Sequence, residues 1–267
     1  ARQHGDPEVV MRALASFGLA LAVTITAGTA GPAYADQRED FLAGKTNDCP
    51  NCDLRQVNRK RGDLTNANLA GANLTEANFH DARLMGANLT GAILVGANMN
   101  KADLRNAKLA GADMTDVMIY GARLTQADLS NAKMTRVIAR TADLTRAKFI
   151  GADLSETDLR QTRMALADFT GATLMRSWMY ESQMRGVNFT RANLTGAGMA
   201  IADLNQANFT EAIVVEVDLR KSSIREATVA KADFSRSSMR QADTAMTSFD
   251  GVRLSGTTMP DGTILPQ

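Results

Sequence analysis

The chain is poor in the residues that most chemistry needs: 2 His, 2 Cys, 1 Trp and 5% aromatics among 267 residues. A metal centre, a haem site or a histidine-based catalytic apparatus would have very few side chains to draw on. Charge of one sign is also missing, since 30 Lys and Arg against 29 Asp and Glu leave a net +1. That balance disfavours a polyanion imitating nucleic acid, and equally a nucleic-acid binder led by bulk positive charge. With 45% apolar and 22% charged residues the composition suits neither a disordered chain nor a membrane bundle.

Long hydrophobic runs are scarce too. The single one follows Met11-Arg12, reads ALASFGLALAVTITAG, and gives way to Ala33-Tyr34-Ala35 ahead of the polar Asp36-Gln37. A basic start, an apolar middle and a small-residue end make a signal peptide, with translation starting at Met11 and cleavage after Ala35. Thr, Gly and Pro interrupt the run before the ~20 residues that a spanning helix needs. The expectation is a periplasmic or secreted protein with no membrane span in its mature part; a retained N-terminal anchor is the alternative.

What the sequence has in abundance is a period of five. From Leu54 to Ile264 every fifth residue gives 43 positions, of which 40 are Leu, Met, Phe, Ile or Val; Arg59, Ala139 and Thr244 are the exceptions. Two residues before each large one the side chain is small, in 26 cases Ala. Five matches neither the 3.6 of a helix nor the 2 of a flat strand. A chain that turns a corner at every fifth residue, with two side chains inward and three outward, satisfies it. Four corners close a square coil, and stacked coils pair as parallel strands about 4.8 Å apart. The predicted fold is an all-β parallel β-helix of roughly eleven coils, about 50 Å long.

Residues twenty apart then become neighbours. Phe149, Phe169, Phe189, Phe209 and Phe249 share one inward column, broken at Val229. Outward columns alternate in sign: Asp63, Arg83, Asp103, Arg123, Asp143 and Arg163 in one, Lys108, Asp128, Lys148 and Asp168 in a second, Asp113, Lys133 and Asp153 in a third. Alternation avoids stacking like charges at strand separation.

Units such as ANLTG, ADLRN, ADMTD and ADLSE resemble the pentapeptide repeat family, whose pattern is A(D/N)LxX, over roughly residues 52–264. The resemblance implies a right-handed quadrilateral β-helix. It implies less about function, because the family runs from DNA-mimicking topoisomerase protectors to lumenal and periplasmic proteins of unknown role. A signal peptide, a short helix, CPNCDL and then repeats are similar to the exported bacterial and thylakoid-lumen members. Topoisomerase-protecting members typically dimerise through a C-terminal element that has no visible counterpart here.

The expected layout is upstream residues and signal peptide at 1–35, an N-terminal cap at 36–48, the repeat at 49–264 and a tail at 265–267. Residues 36–45 read as a short capping helix stopped by Gly44. Cys49-Pro50-Asn51-Cys52 is the one redox-looking motif. Asp53 stands where haem attachment needs His, and no second ligand pair for zinc is nearby. Both cysteines fall on inward positions, so a structural disulfide between Cys49 and Cys52 is expected in an oxidising compartment. Two buried free thiols and a thiol–disulfide enzyme are the alternatives. Arg59 is read as marking an irregular unit, and His80 as a surface residue.

These readings point to a non-enzymatic scaffold that binds a protein, with no catalytic residue, cofactor, metal or nucleic acid expected. Tyr120, Tyr180 and the single Trp178 fall on one predicted face. The candidate partner surface there comprises Met118, Tyr120, Ile138, Arg140, Arg160, Trp178, Tyr180, Arg220 and Arg240, rich in the types enriched at binding hot spots. Such a surface would prefer an acidic or aromatic-rich protein. The rival reading is a wall stabilised by arginines stacked on tyrosines through cation–π contacts.

Overall fold

The computed structural model describes residues 32–267, and its backbone repeats one five-residue unit whose N–H groups are all accounted for where an Asp or Asn precedes the large residue. In the unit Ala72–Glu76, Ala72 N–H closes the corner on Leu69 O (3.1 Å), Asn73 N–H reaches back one coil to Cys52 O (2.9 Å), and Leu74 N–H reaches forward to Ile93 O (2.6 Å). Glu76 N–H goes forward to Val95 O (2.8 Å), and Thr75 N–H is taken by the Asn73 side chain, 3.2 Å from Oδ1. No donor is left over, which is what a backbone packed this tightly requires. Parallel bridges such as Asp53↔Asn73, Asn73↔Ile93 and Ile93↔Asp113 repeat at a spacing of twenty. The coil is therefore four-sided.

The side chains of the motif explain the corner. Asp63 Oδ1 accepts the N–H of Thr65 (3.1 Å) and its hydroxyl (2.7 Å), and Asp113 with Thr115, Asp128 with Ser130 and Asp168 with Thr170 do the same. The Asp or Asn before each large residue is thus a turn former as well as a member of a charge column. The columns pair unevenly. Arg83 meets Asp63 at 2.6 Å, Arg123 meets Asp103 at 2.7 Å and Arg163 meets Asp143 at 2.9 Å. Among the described residues Lys108, Asp128, Lys148 and Asp168 close no ion pair.

Leu, Met and Phe fill the axis. Phe149, Phe169, Phe189 and Phe209 stack with centroids 4.6, 5.2 and 5.3 Å apart. The sequence breaks this column at Val229, but the structure does not. Phe234, from the adjacent side of the coil, sits edge-on to Phe209 at 5.8 Å and to Phe249 at 6.1 Å. Some of the small inward positions hold hydroxyls that rewire corners: Thr247 Oγ1 takes Ala227 N–H (3.0 Å) and donates to Ile224 O (2.6 Å).

Both ends depart from the five-residue spacing. Helix α1 spans Pro32–Leu42, beginning before the predicted cleavage point at Ala35; the rest of the signal-peptide reading lies outside the described residues. Gly44 (φ +73°) ends the helix, with Lys45 N–H on Asp40 O (2.9 Å) and Gly44 N–H on Phe41 O (3.0 Å). Phe41 is fully buried. Arg59, expected to mark an irregular unit, keeps register through the Asn58↔Asn78 bridge. Its guanidinium lies 4.4 Å over the Phe41 ring and bonds Phe41 O, so the odd residue of the series faces the helix. Cys49 and Cys52, both buried, bring their Sγ atoms to 2.00 Å.

At the other end the spacing makes Ile264 a last inward residue. Instead the chain reverses over 260–263, Ile264 bridges Thr258 antiparallel, and Leu265 N–H bonds Thr257 O (2.9 Å). Ile264 is left exposed, and the returning segment pairs with residues 256–259 on one side of the last coil.

Candidate functional site

One side of the coil breaks the rule of the other three. On those three, the residue after each large one is mostly Thr, Ser or Ala, folded onto the neighbouring Asp or Asn. On the fourth it reads Lys60, His80, Asn100, Tyr120, Arg140, Arg160, Tyr180, Ala200, Arg220, Arg240. The bridges Met118↔Ile138, Ile138↔Asp158, Asp158↔Trp178, Trp178↔Gly198, Gly198↔Asp218 and Asp218↔Ser238 stack the adjoining column in the same order. All nine residues of the candidate partner surface therefore share one wall. Trp178 (43%), Ile138 (44%) and Tyr120 (46%) are exposed on it.

The electrostatics differ from those suggested by the sequence columns, because Asp158 and Asp218 stand among the aromatics. Asp158 accepts Arg140 Nε at 2.5 Å and a two-pronged bond from Arg160 at 2.8 and 2.7 Å. Asp218 takes the same fork from Arg220, at 2.8 and 2.7 Å. The Arg220 hydrogen bond holds the Asp218 carboxyl below its usual range, against the opposing effect of burial. Ser238 replaces an acid beside Arg240, and neither Arg240 nor Lys221 closes an ion pair among the described residues. Arg240 and Lys221 thus form a pair of neighbouring uncompensated cations at one end of the wall, while at the other end Lys60 stands singly beside Asn58. No arginine of the wall lies over a tyrosine ring; the described cation–π contact is Arg59 on Phe41.

Tyr180 has a different partner. Its ring covers Gly198, where an added Cβ would stand 2.2 Å from both Cζ and Oη. Gly198 lies off the left-handed corners where most of the glycines sit, and its missing side chain is the space that the ring occupies. That exception is legible in the sequence, but its meaning is not.

The corners beside this wall carry strain. Thirty non-glycine residues hold φ between 54° and 63°, among them Asn, Asp, Gln, Glu, Lys and Arg. Only two are β-branched, Thr141 (φ 58°) and Ile201 (φ 61°), and both lie on the corner column next to the aromatic wall. A left-handed conformation costs an ordinary residue ~1–2 kcal/mol, and branching at Cβ aggravates it. Ile201 is 57% exposed, so burial does not offset the cost. A shallow depression of ≈ 400 Å³ lies between Ala200, Ile201, Arg220, Lys221, Arg240 and Gln241. His80 is half-buried instead of fully outward, and its Nδ1 has no partner among the described residues.

A family model described as pentapeptide repeats matches the chain in 8 copies, with segments running from 52–91 through 97–136 and 142–179 to 202–241. No curated protein matches the chain in sequence. Among solved structures, HetL, a pentapeptide repeat protein involved in heterocyst differentiation regulation in Nostoc, is 23% identical, with 86% of this chain and 98% of HetL covered and a TM-score of 0.40. Full-length QnrB1, a plasmid-mediated fluoroquinolone resistance protein, is 18% identical over 66% of this chain and 91% of its own, at 0.47. A pentapeptide repeat protein of the Arabidopsis thaliana thylakoid lumen is 24% identical over 45% and 71%, at 0.30.

Proposed function

The chain belongs to the pentapeptide repeat family, and on that premise we propose that it is an exported, non-enzymatic scaffold whose aromatic wall receives a protein partner. In this reading the coil winds in the family's right-handed sense. Helix α1 with Phe41 and Arg59 caps it, and Cys49–Cys52 is a structural disulfide beneath the cap. No helix among the described residues is long and apolar enough to cross a membrane. The observation that carries the proposal is the exposure of the aromatic Tyr120 and Trp178 beside Ile138 on one side, where the other sides expose single aliphatics such as Met85, Ile93, Ile150 and Ile213 among turn-forming Asp, Asn, Thr and Ser. Aromatic side chains left in water on a rigid frame bind at little entropic cost.

A DNA-mimicking module is the other reading. It favours an unbroken acidic column, whereas the Asp columns here are interrupted at every second coil or more often, by Arg or Lys as at Arg83 and Lys133 or by neutral residues as at Gln183 and Thr173.

The test is crosslinking in the intact cell envelope with wild type and the Tyr120→Ser/Trp178→Ser variant. Both substitutions touch exposed side chains outside the ion-pair networks, so the fold should survive while a specific crosslinked protein is lost. A folded variant that keeps every wild-type crosslink overturns the partner surface. N-terminal sequencing of the envelope fraction should begin at Asp36; a full-length cytoplasmic product overturns export.

A further inference from the structure

We propose that the end of this wall formed by Ile201, Arg220, Lys221 and Arg240 binds an extended polypeptide segment in which acidic and aliphatic side chains alternate. The inference rests on the protein-binding reading above and adds the chemistry of the partner.

Three observations converge on these residues. The first is a broken ladder. Four corner cations sit one coil above an acid and pair with it: Arg136 on Asp116 at 2.8 Å, Arg176 on Glu156 at 2.6 Å, Arg236 on Glu216 at 2.9 Å, Lys231 on Glu211 at 3.7 Å; Arg146 and Arg191, above Gln126 and Gly171, do not. Lys221 by the same rule sits one coil above position 201, where the sequence supplies Ile. The second is the stacking of Arg220 directly below Arg240 in one column, about 4.8 Å apart along the axis, with a single local carboxylate, Asp218, already forked onto Arg220. Like charges at strand separation are destabilising unless a counter-charge intervenes. At the equivalent pair, Arg140 and Arg160, Asp158 serves both; Arg240 has only Ser238 beside it.

The third is Ile201 itself. A branched aliphatic side chain is held in a left-handed corner and pointed at water, where Gly or Asn would relieve the backbone. Strain of this kind persists where a site uses it. Ile201, Lys221 and Arg240 border one depression of ≈ 400 Å³, open enough to admit side chains from outside.

The three features select one ligand chemistry. Two uncompensated cations call for carboxylates, and the exposed aliphatic corner beside them calls for an apolar group within the same stretch of chain. An extended segment that alternates Glu with Leu offers both. A sulfated or phosphorylated polysaccharide would satisfy Arg240 and Lys221 and leave Ile201 in water.

The probe is a short dye-labelled peptide of alternating Glu and Leu, titrated into the full chain and followed by fluorescence anisotropy. Gln-for-Glu and Ser-for-Leu versions of the peptide, and heparin, serve as comparison probes. Arg240→Gln/Lys221→Gln should weaken the Glu/Leu peptide at least tenfold. Ile201→Asn, which keeps both cations and relieves the corner, should weaken it at least threefold while raising the melting temperature. Affinity should fall as salt rises. No binding, binding indifferent to either variant, or equal competition by heparin overturns the proposal. In the envelope crosslinking experiment, partners lost in Tyr120→Ser/Trp178→Ser but kept in Arg240→Gln/Lys221→Gln sink this inference alone. Partners kept in both sink the protein-binding wall with it.

Discussion

The ring of Tyr180 occupies the space above Gly198, which lies one coil further along in the adjoining column. A Cβ at position 198 would come within 2.2 Å of Tyr180 Oη. The aromatic wall is therefore a shaped surface, in which one ring fills the space left by a glycine while Trp178 beside it stays 43% exposed.

Gly198→Ala should push that ring outward. The methyl meets the end of a rotatable side chain and not the core, so the loss in stability should stay within about 1 kcal/mol. Nitration of Tyr180 by tetranitromethane should become faster, while Tyr120 keeps its wild-type rate. Unchanged Tyr180 reactivity would show that the ring is not held by position 198.

Ile201→Asn and Thr141→Asn should each raise stability by ~1 kcal/mol, because Asn tolerates the left-handed conformation that a branched residue resists. The corners are three coils apart and share no partner, so the double substitution should be additive. Thermal melts followed by circular dichroism will decide; a lower melting temperature for Ile201→Asn would mean that the side chain stabilises the folded wall.

Phe169→Ala should cost ~3–5 kcal/mol, since it opens a cavity between Phe149 and Phe189 in the middle of the stack. Phe249→Ala, at the half-buried end of the run, should cost clearly less. Comparable losses at both positions in reversible urea unfolding would mean that the stack is not the ordered element of the core.

Acid should unfold the coil by way of its aspartates. The Arg105 hydrogen bond holds the Asp103 carboxyl below its usual 3.8, against burial and with help from the Arg123 charge, and the Ser130 hydroxyl does the same for Asp128. A carboxyl whose folded pKa is depressed contributes stability that is complete above the unfolded pKa and is lost as pH falls through the folded one. The melting temperature should thus be level from pH 7 to about 5 and drop below about 4. Asp103→Asn should flatten part of that drop; a melting temperature constant down to pH 2.5 would contradict the assignment.

The sequence by itself determined the coil. A large residue at every fifth position and a small one two before it leave one solution in which apolar side chains are buried, and where Asp or Asn stands between them every N–H of the unit is used, as in Ala72–Glu76. Such a pattern is local and repeats, so it can be read without knowing what touches what. It also placed the nine wall residues on one side, because a period of twenty converts spacing into adjacency. The tertiary structure decided what depends on side-chain reach across columns. Phe234 enters the neighbouring Phe stack, Asp158 and Asp218 claim arginines that a single column leaves free, Arg59 turns to Phe41, and Tyr180 settles on Gly198. Long side chains choose partners by distance and angle in space, and the period fixes only where each one starts.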